Sequence, residues 1–355
     1  MKIILVTGGY GFVASNFIIR LQTDVDTRGK YKVINVDNMS TGSDDRNLPR
    51  RIDNYVFIHG DFSNHDLIKR LFETYDISYV YHFGAQTHVD RSFDNPSEFI
   101  NSNYLGTANL LDCVVKYGMT KQHKHDQNKQ IFEKFIYVST DEVTGDATGL
   151  REELIMNYGL YNPTNPYSAT KAGAELLVNS YFYSFQLPII ITRSNNIYGR
   201  NQYPEKLIPK CVKLLTNNKK CKLYGDGSSV RNYLHVDDAC DAYKLILDAG
   251  EIGNMYEMKS NIEISAIEMV KRIIDLVINN GDELKDINDY NNKYVEFVDD
   301  RPYHDAKYVV NSASLEDLGW ESTVDFEEGI VKTVQHFIKL FKAEKRLEEK
   351  NHNAI

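Results

Sequence analysis

Short apolar runs alternate with amphipathic stretches through the first part of the chain. The apolar runs are continuous and rich in β-branched residues, as in strands that are buried on both faces. They predict strands at Ile3–Thr7, Lys32–Asp37, Tyr55–Gly60, Tyr79–Phe83, Lys134–Ser139 and Ile189–Arg193. Apolar positions at helical spacing predict helices near Phe12–Leu21, His65–Tyr75, Pro96–Tyr117 and Tyr167–Phe185. Strands separated by helices predict an α/β fold with a doubly wound parallel sheet.

The pattern becomes irregular after about residue 200, where prolines and a turn at Gly225–Ser229 interrupt it. A chain of 355 residues is long for one core, so we expect a second, smaller lobe. The expected division is a large domain at residues 1–200, a substrate lobe mainly at 201–341 and a charged tail at 342–355. Some segments of the lobe are expected to return to the large domain. The polar segment Lys116–Lys134 is interpreted as a solvated surface insertion, in preference to a metal site built from its histidines.

Composition narrows the class of function. The net charge of -9 argues against a general nucleic-acid binder, although a local cluster of Arg and Lys can still hold a diphosphate. The four cysteines show no C-x-x-C spacing, which predicts reduced packing residues in a cytoplasmic protein and no zinc site or disulfide. No apolar run approaches the roughly 20 residues of a membrane span, so no membrane association is expected.

A glycine-rich turn, TGGYGFVA, follows the first strand and opens the first helix. Gly8 and Gly11 allow a tight turn and close approach of the backbone to a pyrophosphate. Asp37 ends the second strand, where a carboxylate accepts hydrogen bonds from ribose hydroxyls and repels a 2′-phosphate. The turn therefore predicts NAD rather than NADP, with Asp61 near the adenine amino group. A turn that serves packing alone is the alternative.

Tyr167 and Lys171 are one helical turn apart at the start of a predicted helix, so their side chains share a face. We expect the lysine ammonium, together with the positive nicotinamide, to lower the pKa of the phenol. Such a tyrosine can take a proton from a sugar hydroxyl while hydride leaves the same carbon. A surface helix pair is the alternative. The catalytic interpretation is favoured because Ser139 and Thr140 end a predicted buried strand in the same chain.

Nearly the whole chain resembles the extended short-chain dehydrogenases, and within them the nucleotide-sugar 4,6-dehydratases. The segments that carry the resemblance are TGGYGF, HFGAQTHVDRSF, VSTDEV, NPYSATKAGAE, YPEKLIP, GDGSSVRNYLHVDD and DDRPYHD. The sequences of these segments are most similar to the dehydratase domain of UDP-rhamnose synthases, and they are nearly as similar to the bacterial dTDP-glucose enzymes. The resemblance implies a Rossmann-type, NAD-dependent hydro-lyase. Its substrate would be UDP-glucose or dTDP-glucose, and its 4-keto-6-deoxy product a precursor of rhamnose or other deoxysugars. It also implies a homodimer that pairs the helices near Pro96–Tyr117 and Tyr167–Phe185.

The triplet Thr140, Asp141 and Glu142 separates this resemblance from related 4-epimerases, which carry small hydroxyl residues in place of the two acids. By resemblance, Glu142 removes the C5 proton and Asp141 is the general acid that protonates O6. Two adjacent carboxyl groups in a desolvated cleft should not both ionise easily. The alternatives are a UDP-sugar 4-epimerase or decarboxylase, and a silent NAD-binding regulator. The acid pair disfavours the first two, and the intact Tyr167 and Lys171 disfavour the regulator.

The resemblance also assigns ligand-binding positions, for which fold-stabilising contacts are the alternative. The cofactor positions are Gly8, Gly11, Phe12, Val13, Asp37, Asn38, Asp61, Phe62, Gly84, Ala85, Tyr167 and Lys171. The nucleotide-sugar positions are His88, Asn196, Lys206, Leu207, Tyr224, Arg231, Arg301 and His304. Arginine offers forked donors that suit phosphate oxygens. Three positions depart from the family pattern: Ala14, Gln86 and Thr144, of which Thr144 affects local packing or a substrate contact.

Overall fold

A computed structural model describes residues 1–123, 126–148, 160–279, 290–300, 302–303 and 305–352. The strands are β1 (Lys2–Thr7), β2 (Tyr31–Asp37), β3 (Tyr55–His59), β4 (Ile77–His82), β5 (Gln122–His123), β6 (Asp126–Gln130), β7 (Lys134–Val138), β8 (Ile189–Ser194), β9 (Asn196–Tyr198), β10 (Cys221–Tyr224), β11 (Val230–His235), β12 (Met255–Met258), β13 (Glu263–Ser265) and β14 (Val295–Val298).

The α-helices are α1 (Phe12–Thr23), α2 (His65–Thr74), α3 (Val89–Asp94), α4 (Pro96–Phe99), α5 (Gly106–Cys113), α6 (Pro166–Phe185), α7 (Leu207–Thr216), α8 (Val236–Ala249), α9 (Ala266–Ile278), α10 (Ala313–Glu316) and α11 (Phe326–His352). Two π-helical turns, Ile100–Leu105 and Val114–Gly118, flank α5. A third covers Tyr290–Tyr294, and 3₁₀ turns cover Asp45–Asn47 and Asp141–Thr144.

The central sheet has seven parallel strands in the order β3-β2-β1-β4-β7-β8-β12 within the described residues. The predicted doubly wound sheet is confirmed, and each predicted strand and helix of the first part of the chain is present to within a few residues. The strand order reverses direction between β1 and β4. In folds of this kind, the crevice beyond the carboxyl ends of those two strands is where ligands bind.

Both faces of the sheet are covered, as the continuous apolar runs predict. On one face, Phe17 of α1 packs with Tyr243 of α8 against Tyr81 of β4. On the other face, α2, α5 and α6 contribute buried side chains such as Leu110 and Val178. All six residues of β4 are buried. The sheet is therefore a rigid platform for the loops that leave its carboxyl edge.

Most of the chain after β9 forms a separate apolar core, in which Val212 of α7, Ile273 of α9 and Val334 of α11 are buried. Two segments of this region belong to the central sheet instead: α8 covers it, and β12 extends it beside β8. The charged end of the chain continues α11, where Glu344 pairs with Arg46 at 2.8 Å. Among the described residues, no helix has both the length and the apolarity to span a bilayer.

The segment Lys116–Lys134 is anchored to the large domain on both sides of its hairpin. Its described strands β5 and β6 pair as a hairpin. The Lys121 ammonium donates to the carbonyl oxygens of Phe72 (2.8 Å) and Tyr75 (3.0 Å), where the C-terminus of α2 attracts a cation. Phe132 is buried in the core beneath. Lys121 and Phe132 thus anchor the segment to the large domain, and the interpretation of the residues between them as a solvated insertion stays a prediction.

Candidate active site

A cavity of about 350 Å³ lies at the carboxyl edge of the sheet, and a second of about 210 Å³ continues from it into the smaller lobe. The predicted residues that line the first are Gly8, Gly11, Phe12, Val13, Asp37, Asn38, Phe62, Gly84, Ala85, Thr140, Asp141, Glu142, Tyr167, Lys171, Asn196, Lys206 and Leu207. Those that line the second are His88, Glu142, Asn196, Lys206, Leu207, Tyr224 and Arg231. Asp61 lines neither cavity, but it accepts a 2.8 Å hydrogen bond from Asn38, which lines the first. Arg301 and His304 lie outside the described residues.

The glycine-rich turn fits a dinucleotide. Gly8 has φ +69°, and a Cβ there would lie 2.8 Å from the Cα of Gly84, so only glycine is accommodated without strain. Gly11 is the N-cap of α1 and offers no side chain in front of the first backbone N–H groups. Asp37 is fixed at the end of β2 by hydrogen bonds from the backbone of Tyr10 (2.9 Å) and Met39 (2.8 Å). Oδ1, which accepts from Met39, also accepts from the Ser43 hydroxyl at 2.8 Å, so Oδ2 is the oxygen that can accept a further hydrogen bond from a ribose hydroxyl.

The start of α6 is fixed by a capping box. Asn165 accepts a hydrogen bond from the Ser168 backbone N–H at 2.8 Å, and the Ser168 hydroxyl bonds in return to the Asn165 backbone N–H at 3.3 Å. Pro166 occupies the first turn, where its missing N–H costs nothing. This cap sets the direction in which Tyr167 and Lys171 project. Both side chains are buried and reach the first cavity.

The protein's own groups shift the pKa values of both members of this pair towards the neutral forms. Burial raises the pKa of Tyr167, and Glu142 raises it further, although a hydrogen bond with Thr140 opposes the rise. Burial lowers the pKa of Lys171 to about 7. The Lys171 ammonium donates to the carbonyl oxygen of Val138 at 2.7 Å. The expected lowering of the phenol pKa by Lys171 together with the positive nicotinamide stays a prediction, because the protein's own groups raise that pKa and the nicotinamide charge is part of what is expected to lower it.

Asp141 and Glu142 enter the cavity from the 3₁₀ turn that follows β7. An oxygen of Asp141 accepts from the side-chain amide of Asn195 at 3.3 Å, and Glu142 accepts from that of Asn165 at 3.2 Å. Burial, followed by the charge of Glu142, raises the pKa of Asp141 to about 7. Burial also raises the pKa of Glu142, while the bond from Asn165 and the charge of Lys206 oppose the rise. The expectation that the two acids do not ionise easily together is confirmed.

Thr144 stabilises this turn. It is buried, and its hydroxyl donates to the carbonyl oxygen of Asp141 at 2.9 Å. The next residue, Gly145, has φ +69° and lies so close to Asn162 that a Cβ would be 2.0 Å from its carbonyl oxygen. Thr144 does not line either cavity. The departure from the family pattern therefore affects packing beneath Asp141 and not a substrate contact.

Three contacts join the loop after β4 to the smaller lobe across the second cavity. His88 Nε2 lies 3.5 Å from a carboxylate oxygen of Glu205. The Tyr224 hydroxyl donates to Asp90 at 3.1 Å, and Lys206 donates to a carbonyl oxygen of the same loop at 2.9 Å. These contacts place the ammonium of Lys206 and the hydroxyl of Tyr224 along one wall of the second cavity.

Arg231 reaches the second cavity from β11. Its guanidinium donates to the carbonyl oxygens of Val230 (2.7 Å) and Asp305 (2.9 Å), and it lies 4.6 Å from the centroid of the Tyr308 ring. The aromatic ring and the carbonyls hold the guanidinium plane in one orientation. A cation fixed in this way can bind an anionic group with little loss of side-chain entropy.

Sequence reasoning missed three residues of the site: Asn165, Asn195 and Glu205. Asn165 stands before the proline that starts α6, so the N-cap preference of asparagine was an available signal. Asn195 adjoins Asn196, but no local pattern relates it to Asp141. Glu205 adjoins Lys206 and carries no signal of its own. Within the described part of the chain, no group of three or more His, Cys, Asp or Glu side chains is arranged to hold a metal ion.

The chain is similar in sequence to known nucleotide-sugar 4,6-dehydratases. The sequence model of the GDP-mannose 4,6 dehydratase family matches residues 5–333. The chain belongs to this family. A dTDP-D-glucose 4,6-dehydratase of Dictyostelium discoideum is 40% identical over 93% of this chain and 80% of its own length. A trifunctional UDP-glucose 4,6-dehydratase, epimerase and reductase of Arabidopsis thaliana is 38% identical over 95% of this chain and 47% of its own.

Among solved structures, the dTDP-glucose 4,6-dehydratase DesIV of Streptomyces venezuelae, determined with NAD bound, has a TM-score of 0.82 to this chain at 31% identity. The match covers 95% of this chain and 97% of that one. The resemblance to 4,6-dehydratases on an extended short-chain dehydrogenase fold is confirmed. The family relationship therefore extends over both cavities and both apolar cores.

Proposed function

We propose that this family member is an NAD-dependent 4,6-dehydratase of UDP-glucose or dTDP-glucose. The observation that carries the proposal is the pair of acids, the buried Asp141 and the half-buried Glu142, which share one cavity with Tyr167. Oxidation of a sugar hydroxyl requires Tyr167 and a cofactor, but it does not require two carboxyl groups with raised pKa values. Elimination of water requires an acid and a base.

The first cavity is proposed to hold NAD against Gly8, Gly11 and Asp37. NAD bound there would accept a hydride from C4 of the sugar and later return it to C6. Gly8 and Gly84 both line this cavity and lie so close together that a Cβ on Gly8 would be 2.8 Å from the Cα of Gly84, so no side chain can project between them. The buried Asp37 carboxylate disfavours a 2′-phosphate, so NAD fits better than NADP.

Tyr167 begins the reaction by taking the proton of the sugar O4 hydroxyl. Its raised pKa opposes the phenolate, so the positive nicotinamide ring and Lys171 have to stabilise that charge. Lys171 is buried, and its ammonium donates to the carbonyl oxygen of Val138 at the end of β7. We propose that it orients the ribose and carries part of the positive charge.

Glu142 then removes the C5 proton, which is acidic because C4 has become a ketone. Asp141 donates its proton to O6, the C6–O6 bond breaks, and water leaves. Hydride return at C6 is accompanied by return of a proton from Glu142 to C5. Asp141 regains a proton equivalent to the one that Tyr167 took from O4, so the protons balance over the cycle. A pKa of about 7 lets Asp141 be protonated for part of the population at neutral pH.

The second cavity is proposed to hold the nucleoside diphosphate. Within the described ranges, four cations line it, namely Lys206, Lys210, Lys222 and Arg231, and a guanidinium can bind two phosphate oxygens at once. The roles of His88, Asn196, Leu207 and Tyr224 as neighbours of the nucleotide remain predictions. These positions do not distinguish uracil from thymine, so an assay of the proposed activity has to include both UDP-glucose and dTDP-glucose.

We further propose a cytoplasmic homodimer. Exposed apolar side chains lie on adjacent helices, at Ile100 and Leu105 in the π-helical turn and at Leu176 and Phe185 in α6. Two such helical surfaces paired about a two-fold axis would form a four-helix bundle that buries them. The four cysteines are buried as free thiols, which is consistent with a reducing compartment.

The decisive experiment separates oxidation from elimination. The double variant Asp141→Asn, Glu142→Gln keeps Tyr167 and Lys171, so C4 oxidation should proceed and water loss should stop. Single-turnover mixing should show a stable absorbance at about 340 nm from reduced cofactor. Overall turnover should fall ~100- to 10,000-fold for each acid removed.

A matched control replaces two exposed acids of α2, Asp66→Asn and Glu73→Gln, whose side chains are 83% and 55% exposed. The control should turn over like the wild type. Normal turnover of the double site variant would contradict the proposal and favour a 4-epimerase, whose cycle needs neither acid.

A further inference from the structure

His82 is a buried histidine that the proposed mechanism does not use. It is the last residue of β4 and is 1% exposed. Its Nδ1 lies 2.7 Å from the Thr7 hydroxyl oxygen, and its Nε2 lies 2.9 Å from that of Thr107. The Phe62 ring packs against its edge at 4.9 Å. Both ring nitrogens are thus occupied inside the protein, directly beneath the floor of the first cavity.

The direction of every hydrogen bond in this group can be deduced. The Thr107 hydroxyl donates its one proton to the carbonyl oxygen of Asn103 at 2.6 Å, so its oxygen must accept from His82. His82 therefore carries its proton on Nε2, and its Nδ1 accepts from the Thr7 hydroxyl. The Thr7 oxygen in turn accepts from the backbone N–H of Gly84 at 3.0 Å. The bonds run in one direction from Gly84 to Asn103.

A charged imidazolium would break this order. Both ring nitrogens would donate, and the Thr7 oxygen would receive two donors while its own proton lost its acceptor. Burial, followed by the charge of Lys171, lowers the pKa of His82 to about 3, which agrees with a neutral ring. The neutral ring acts as a fixed spacer with an acceptor on one side and a donor on the other.

Asn103, whose carbonyl oxygen accepts from Thr107, also fixes Gln86 in the loop that follows β4. The Asn103 side-chain oxygen accepts from the backbone N–H of Gln86 at 2.7 Å, and its amide donates to the Gln86 carbonyl at 2.9 Å. That amide also lies 3.0 Å from the hydroxyl of Thr170, which bonds to the carbonyl of Tyr167. The segment from Gly84 to Gln86 is therefore held at both ends, and it is tied to the tyrosine helix.

We propose that His82 is a positioning residue which, by orienting the Thr7 hydroxyl, fixes Gly84 against Gly8 in the geometry that bound NAD requires. The inference rests on the proposed binding of NAD in the first cavity. Gly84 lines that cavity, and its distance of approach to Gly8 leaves no room for displacement towards the glycine turn. Without the imidazole acceptor, the Thr7 hydroxyl can rotate and the Gly84 N–H loses a defined partner.

The alternative is that His82 only fills space in the core. The two possibilities differ in what they predict for three substitutions. In His82→Asn the amide oxygen falls near the position of Nδ1 and can still accept from Thr7. In His82→Gln the amide reaches the position of Nε2 and contacts Thr107 instead. His82→Phe removes both contacts.

The readout is the rate at which bound NAD exchanges with labelled NAD in the NAD-saturated protein, together with the melting temperature. His82→Gln and His82→Phe should exchange NAD ~10- to 100-fold faster than the wild type, the usual effect of leaving a buried donor unpaired. His82→Asn should stay within about threefold of the wild type. All three are expected to lower the melting temperature, because each disturbs a packed site.

Leu110→Ala is the matched control, since Leu110 is fully buried on α5 and contacts neither cavity. It should lower the melting temperature and leave NAD exchange unchanged. Equal exchange rates for His82→Asn and His82→Gln would overturn the inference, as would exchange rates that follow the melting temperature through all four variants. Wild-type protein that binds no NAD would instead refute the proposed function, so the two failures are distinguishable.

Discussion

Replacing Asp141 by asparagine removes a carboxyl group that folding takes out of water. The pKa of Asp141 rises from 3.8 to about 7, mainly through burial and then through the charge of Glu142. The folded protein therefore binds more protons than the unfolded chain between pH 4 and pH 7. Its free energy of unfolding falls as the pH rises through that window. Asparagine has no proton to lose, so the variant should lack this loss of stability.

The magnitude follows from the size of the shift. A difference of about 3 pKa units corresponds to about 4 kcal/mol at a pH above both values. Asparagine can keep only one of the two acceptor contacts, to Asn195 at 3.3 Å or to Thr140 at 3.2 Å, and each is worth about 1 kcal/mol. We therefore expect Asp141→Asn to be about 3 kcal/mol more stable than the wild type at pH 8, although it is inactive.

Urea unfolding at a fixed NAD concentration between pH 5 and pH 8 measures this difference, since bound cofactor would otherwise shift both curves. The gap between variant and wild type should widen by about 2–3 kcal/mol over that range. Asp66→Asn, on the surface of α2, should follow the wild type at every pH. A gap that stays constant or narrows would refute the argument that burial disfavours the charged form of Asp141.

Three further predictions concern Tyr167, the buried ion pair of Arg193 with Glu175, and the exposed apolar face of α6. Tyr167→Phe should lower turnover by ~100-fold or more while the amount of NAD released on denaturation stays unchanged; activity within a few-fold of wild type would contradict its role as base. Arg193→Met leaves Glu175, at 0% exposure, without the guanidinium that it contacts at 2.6 Å. This substitution should lower the free energy of unfolding in urea by about 3–5 kcal/mol, and a decrease below about 1 kcal/mol would contradict the importance of this buried pair. Leu176→Asp should yield a monomer by light scattering, whereas Val25→Asp, at a residue 91% exposed elsewhere, should not; a wild-type monomer would refute the dimer itself.

The sheet was predictable because strands buried on both faces leave an unambiguous apolar pattern in the sequence. The predicted run Lys134–Ser139 is an example, for the observed strand ends one residue earlier at Val138. The acid pair was also accessible, because Asp141 and Glu142 are adjacent and belong to a motif. Their partners were not: Asn195 is 54 residues from Asp141, and only the fold brings it near.

The pKa of the tyrosine shows where motif reasoning reaches its limit. The spacing of Tyr167 and Lys171 fixes which face of a helix they share, but it says nothing about the groups opposite that face. The carbonyl of Val138, which receives the Lys171 ammonium, comes from the neighbouring strand β7. The extent of burial of both side chains is likewise a property of the whole fold, and it raises the pKa of the phenol, an effect that the motif does not reveal.

The return of α8 and β12 to the central sheet restricts how this enzyme can be recombined. A chimera with a single junction near residue 200 would take both elements from the donor, because they follow that point in the chain. Foreign side chains would then meet Tyr81, whose hydroxyl donates to the carbonyl of Tyr243 on α8 at 2.6 Å. A mismatched β12 would also leave the edge of β8 open to pairing with other molecules. Exchange of substrate specificity between relatives should therefore use two separate inserts, before α8 and after β12, with the native segment kept between them.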